Sequence, residues 1–131
     1  MTVEEEREFI CSVPSRGVFH IAEDASRHEA VGFQTLEPYA TFTHAFDHVG
    51  AVATFVDLGC QSRGVGKRLS ETTFEKAQGK GYEKLFTFVR ADNQDALQFY
   101  RKLGFRVIGT AKKQAKISGN YVDEVIIEMF L

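Results

Sequence analysis

The chain has 131 residues, of which 44% are hydrophobic and 26% charged, and its net charge is −2. That length fits a single domain, residues 1–131, with a core that needs no disulfide or metal. The charge gives no basic field for nucleic acid, no apolar run nears the roughly 20 residues of a membrane span, and Cys11 and Cys60 form neither a disulfide framework nor a zinc pattern.

At the start, Thr2-Val3-Glu4-Glu5 fits a capping box, which predicts a short helix from Val3 to Val13, ending before Pro14. Val18 to Glu23 and Ala30 to Leu36 read as strands joined by the polar turn Asp24 to His28. Glu37 to Asp47 carries Pro38, aromatic anchors and His44, and reads as a loop. Val49 to Leu58 is a β run, apolar on both faces near its end, as in a strand inside a sheet. From Gly66 to Gln78 a helical pattern sets Leu69, Thr73 and Ala77 on one face, with Gly79 and Gly81 as stops. Lys84 to Arg90 is a second covered strand, so this strand, helix and strand make a βαβ unit with parallel strands. A second helix spans Asn93 to Leu103, with Ala96, Leu97, Tyr100 and Leu103 along one stripe and Gly104 after it. Phe105 to Leu131 reads as two long strands around the turn Ser118-Gly119-Asn120.

The βαβ turn, QSRGVGKRL from Gln61 to Leu69, has the look of a phosphate cradle. A Walker loop requires GxxxxGK followed by Ser or Thr, but here Gly66-Lys67 is followed by Arg68 and the first glycine is replaced by Gln61. A dinucleotide fingerprint requires a third glycine, where Leu69 stands, and an acidic residue after the next strand, where Arg90 stands. What survives is the physics shared by both: a glycine turn exposes successive backbone N–H groups at the positive end of a helix. Gly64 and Gly66 would let a pyrophosphate approach those amides, with Lys67 and Arg68 adding charge at the rim.

Gln61-x-x-Gly64-x-Gly66 directly after a strand resembles the pyrophosphate-binding motif of the GNAT superfamily of N-acetyltransferases. NQDALQFYRKLGF, with Asn93, Ala96, Phe99-Tyr100 and Gly104-Phe105, resembles its second signature, and the likeness covers about residues 17 to 131. The resemblance implies an α+β (α/β/α) fold: a mixed, mostly antiparallel sheet with a splayed parallel pair of strands as the acetyl-CoA cleft. It also implies direct transfer of an acetyl group from acetyl-CoA to a primary amine, without a metal.

Residue by residue, the resemblance assigns main-chain groups of Phe55, Val56 and Asp57 to the pantetheine and acetyl carbonyl. The amides of Gln61, Ser62, Arg63, Gly64, Val65, Gly66 and Lys67 would hold the pyrophosphate. Asn93 would bond the pantetheine arm, a role compatible with an N-cap. Lys102 could reach the 3′-phosphate, although an ordinary solvated lysine fits equally. Tyr100 would stand at the sulfur as general acid, or else be a core aromatic. A phenol near pKa ~10 is a weaker acid than a thiol near ~8.5, so hydrogen bonding to the departing thiolate is the milder form of that role.

Two departures from the family pattern stand out. Some members place a glutamate on the strand before the phosphate turn, but GAVATFV has no carboxylate, leaving a water chain, Glu37, Asp47 or His48 as base. Family domains also begin with a strand and a helix that are not read ahead of Val3 in this chain, which would leave a sheet edge open and favours a homodimer. The expected partners are therefore acetyl-CoA, an amine acceptor and a second copy, with no nucleic acid or membrane, in the cytoplasm. Cys60 has no histidine partner at nucleophile spacing. A non-catalytic acyl-CoA-binding or regulatory domain on the same fold is the competing reading, and an unrelated nucleotide-binding enzyme is a third.

Overall fold

The computed structural model describes residues 3–8, 16–24, 26, 28–57, 59 and 64–131. Strands β1 (Val3–Glu8), β2 (Val18–Asp24), β3 (Glu29–Pro38) and β4 (Val49–Val56) come first, with a 3-10 turn at His44–Phe46. Helix α1 (Val65–Gly79), β5 (Lys84–Arg90), α2 (Gln94–Leu103), β6 (Arg106–Ile117) and β7 (Asn120–Phe130) complete the order. The seven strands form one sheet in the order β1-β2-β3-β4-β5-β7-β6. Among the described residues only β4 and β5 pair in parallel; the remaining neighbours are antiparallel.

The N-terminal expectation is corrected. Val3–Glu8 is a strand, not a helix, and pairs antiparallel with β2 at the sheet's edge. Its glutamates favour a helix locally, but the backbone groups along β2 offer a ladder that overrides a preference of a few tenths of a kcal/mol per residue. An N-terminal strand is therefore present after all. The proposed cap, Thr2, lies outside the described residues, as do Cys11, Leu58 and Cys60. The stretch Glu37 to Asp47 is only partly loop, since β3 continues through Pro38.

The remaining elements fall where the sequence put them. Leu69, Thr73 and Ala77 are wholly buried along α1, and Leu97 and Tyr100 are buried on α2. Both helices pack on one face of the sheet, closing over Val18, Leu36, Val52, Leu85, Val89 and Ile127. Burying each such aliphatic side chain stabilises the fold by about 1.5–3 kcal/mol. Of the expected α/β/α layering, the described residues supply this one helical layer. On the other face Phe19, Phe33 and Phe55 stack in a row across β2, β3 and β4. Ser118 and Gly119 both have positive φ, 51° and 82°, and make the two-residue turn between β6 and β7.

Candidate active site

Strands β4 and β5 are ladder partners over only three residues, from Val49 with Lys84 to Ala51 with Phe86. Beyond that point both continue, β4 to Val56 and β5 to Arg90, but no pairing joins them. A parallel pair that parts midway leaves main-chain groups facing a gap, and the register says which. Asp57 N–H donates to Val31 C=O at 2.8 Å, and Tyr39 N–H to Val49 C=O at 3.0 Å. By the two-residue alternation of an antiparallel ladder, Phe55, like Asp57, turns its main-chain groups to β3, while those of Thr54 and Val56 turn toward β5. Of the three expected main-chain positions, Val56 is thus the one that faces the gap.

Tyr100 reaches the same gap from α2. Its hydroxyl and Thr54 Oγ1 share a hydrogen bond of 2.9 Å, and the residue is only 6% exposed. Burial pushes the phenol above its usual pKa, and hydrogen bonds from the side chain and main chain of Thr54 pull it partway back. Around it Tyr100 packs edge-on against Phe99 and Phe105. The side chain is at once the core aromatic and the polar group that the sequence allowed as alternatives.

Helix α1 begins at the mouth of the gap. Gly64 is its N-cap, with φ 77°, a left-handed conformation that glycine adopts without strain. A Cβ there would meet nothing within 4 Å among the described residues. The first-turn amides, from Val65, Gly66 and Lys67, have no partner within the helix and carry its positive end. Gly66 serves differently from expectation: a Cβ on it would meet Phe99 Cε1 at 2.8 Å, so its bareness admits the α2 ring. Gln61, Ser62 and Arg63 lie outside the described residues. Lys67 is exposed and pairs with Glu71 at 3.9 Å, a contact worth little in water.

Asn93 caps α2, its Oδ1 accepting from Ala96 N–H at 3.1 Å, which leaves its Nδ2 as a donor. Lys102 is exposed in the last turn of α2. The base candidates separate by register. His48 precedes β4 and its carbonyl accepts from Glu83 and Lys84 N–H, six residues from Thr54, or about 20 Å along a strand. Asp47 is farther still, and Glu37, opposite Ala51, is about 10 Å from Thr54. None of the three adjoins Tyr100.

Sequence reasoning missed Thr54, Gln34 and Ser70. Gln34 Nε2 donates to Thr54 Oγ1 at 2.8 Å and to Ser70 Oγ at 2.9 Å, with Gln34 and Ser70 wholly buried. The signal was available: Gln34 is a polar residue midway between Gly32 and Leu36 on the buried side of a strand.

The sequence model described as the acetyltransferase (GNAT) family matches residues 2–105. The chain is 26% identical over 124 residues to the phosphinothricin N-acetyltransferase of Streptomyces coelicolor, covering 93% of this chain and 72% of that protein. A GCN5-related N-acetyltransferase from Kribbella flavida superimposes with a TM-score of 0.78 at 25% identity, over 91% of this chain and 71% of that one. The structure of a GNAT superfamily phosphinothricin acetyltransferase from Sinorhizobium meliloti, in complex with acetyl-CoA, superimposes at 0.79 with 16% identity, over 88% and 61%.

Proposed function

The chain belongs to the acetyltransferase (GNAT) family, and on that premise we propose that it passes the acetyl group of acetyl-CoA directly to a primary amine, with Tyr100 as general acid. The observation that carries the proposal is the parting of β4 and β5 after Ala51 and Phe86, with the Tyr100 hydroxyl held at Thr54 just beyond. The cofactor fits what the chain offers: a glycine turn at a helix N-terminus next to a gap lined by main-chain groups.

Bound there, acetyl-CoA would supply the activated acyl group, a C–N bond forming as the C–S bond breaks. The amides from Gln61 to Lys67 hold the pyrophosphate, the Val56 main chain and Asn93 orient the pantetheine arm, and Lys102 meets the 3′-phosphate. Tyr100, a phenol whose pKa burial raises still further, keeps its proton at neutral pH and would turn it from Thr54 to a leaving thiolate in the gap. Holding the two reactants together supplies the larger share of the rate, up to ~7–11 kcal/mol, and acid catalysis adds ~10²–10⁴-fold. With Glu37, Asp47 and His48 all distant, the ammonium proton leaves through water.

The acceptor is a small amine, an amino-acid analogue or a protein N-terminus. No helix among the described residues is long and apolar enough to cross a membrane, and we assign a cytoplasmic setting. A homodimer is supported by Phe33, Phe55 and Phe88, which are 37%, 56% and 43% exposed.

Release of free thiol from acetyl-CoA, followed across a panel of amines, tests the proposal. Turnover on any primary amine supports it. Saturable CoA binding with no turnover on any acceptor would favour the non-catalytic binding domain.

A further inference from the structure

A line of hydrogen bonds runs from the first turn of α1 to the phenol of Tyr100, and its polarity can be worked out. Ser70 Oγ donates to Gly66 C=O at 2.8 Å, which uses its one proton. Ser70 can then only accept from Gln34, so the group 2.9 Å away must be the amide nitrogen, Nε2. The other N–H of that nitrogen points to Thr54 Oγ1 at 2.8 Å. Thr54 therefore accepts from Gln34 and also from the Tyr100 hydroxyl, 2.9 Å away, which leaves its own proton committed to neither. Gln34 Oε1, on the far side of the carboxamide, is buried without a hydrogen-bond partner among the described residues. A wholly buried glutamine kept at that disadvantage is there for what its nitrogen donates.

We propose that Thr54, fixed by Gln34, is the positioning residue for Tyr100: at rest its oxygen accepts from the phenol, and as the Tyr100 proton turns to a thiolate in the β4–β5 gap Thr54 swings its own hydroxyl proton to the phenolic oxygen. The inference rests on Tyr100 being the acid. In the step served, the Tyr100 O–H bond breaks, an S–H bond forms on the departing thiolate, and the negative charge passes to the phenolic oxygen. There the Thr54 hydroxyl and the Thr54 backbone N–H, which also faces the gap, stabilise it until water returns a proton. The network also ties the acid to the helix turn that would hold the pyrophosphate, because Ser70 bonds the carbonyl of Gly66.

The test compares wild type with Thr54→Val, Thr54→Ser, Gln34→Met and Tyr100→Phe. The chain has no tryptophan and four tyrosines, so near-ultraviolet titration of the protein alone reports tyrosinate, and subtracting Tyr100→Phe isolates Tyr100. Thr54→Val should raise the Tyr100 midpoint and move the alkaline limb of kcat upward. It should also lower kcat about ten-fold with the KM for acetyl-CoA unchanged, and Thr54→Ser should restore both readings. If Thr54→Val does not fold, Gln34→Met is read on the same two curves and should shift them in the same direction. A wild-type midpoint in Thr54→Val, or a loss of kcat that serine does not rescue, overturns the inference. A wild-type kcat in Tyr100→Phe overturns the acid assignment instead, so the two failures are distinguishable.

Discussion

The ring of Phe99 lies across Gly66, with Cε1 2.8 Å and Cζ 2.9 Å from where a β-carbon on that glycine would stand. Helix α2 thus rests on the first turn of α1 at a place that any side chain would pry open. Gly66→Ala should destabilise the protein by about 1–3 kcal/mol through overpacking. Adding Phe99→Leu should recover part of that loss, because the two sites share one contact. Thermal melts of the three variants decide it: equal melting temperatures for wild type and Gly66→Ala would rule the contact out as a constraint.

Gly64 is constrained differently, by its backbone alone. Its φ of 77° strains any residue with a β-carbon, yet a β-carbon would touch nothing among the described residues. Gly64→Ala should cost about 1 kcal/mol of stability. Because the substitution stands over the turn assigned to the pyrophosphate, the KM for acetyl-CoA should rise more than kcat falls. A stability loss with an unchanged KM would place the pyrophosphate elsewhere.

Removing the hydroxyl of Tyr100 tests chemistry with little disturbance of packing, since the ring keeps its contacts with Phe99 and Phe105. Tyr100→Phe should lower kcat ten-fold or more, about the low end of acid catalysis, with acetyl-CoA affinity little changed. Steady-state kinetics together with CoA binding by calorimetry separate the two quantities.

One carboxylate and two phenols set the pH limits of stability. The Glu128 carboxylate is held below its usual pKa by hydrogen bonds from Lys84 first and Arg106 second. A depressed folded pKa means that its contribution is present above the ordinary carboxylate range and disappears as pH falls through the lowered value. Glu128→Gln should therefore lower the melting temperature at pH 7 and flatten its decline in acid. Tyr82 and Tyr100 act at the other limit. Burial raises both phenols, so above pH 10 the unfolded chain ionises first and stability falls with rising pH. Melts from pH 9 to 11 should show a shallower decline in Tyr100→Phe than in wild type.

Elements whose identity depends on their own residues could be read from sequence. The βαβ unit, the α2 stripe and the C-terminal hairpin each carry a period and a stop signal, and all three stand where expected. The glycine turn and the Tyr100 stripe pointed to the site for the same reason. What escaped depends on partners far along the chain. Val3–Glu8 has helical composition, but its conformation is set by the edge of β2. No residue pattern marks Ala51 and Phe86 as the last parallel pair, because the parting is a property of two strands and not of either. Thr54 looked like one more β-branched residue in an apolar run, and its importance appears only when Gln34, Ser70 and Tyr100 surround it. The Phe99 ring that fills the place of a Gly66 β-carbon likewise comes from the next helix.

The sheet order has a consequence for how the molecule comes into being. Strand β7, last in sequence, lies between β5 and β6, registered against β5 from Lys84 with Phe130 to Arg90 with Glu124. A chain synthesised from its N-terminus can complete β1 to β4, α1 and β5 while the far edge of β5 still waits. Until residues 120–130 emerge, that edge is an apolar template for pairing with other nascent chains, and the gap beside it has only one fixed wall. A ribosome stalled before residue 120 would therefore hold a species with the Gly64 turn but no stable cleft. Chaperone dependence should concentrate in the interval before residues 120–130 emerge.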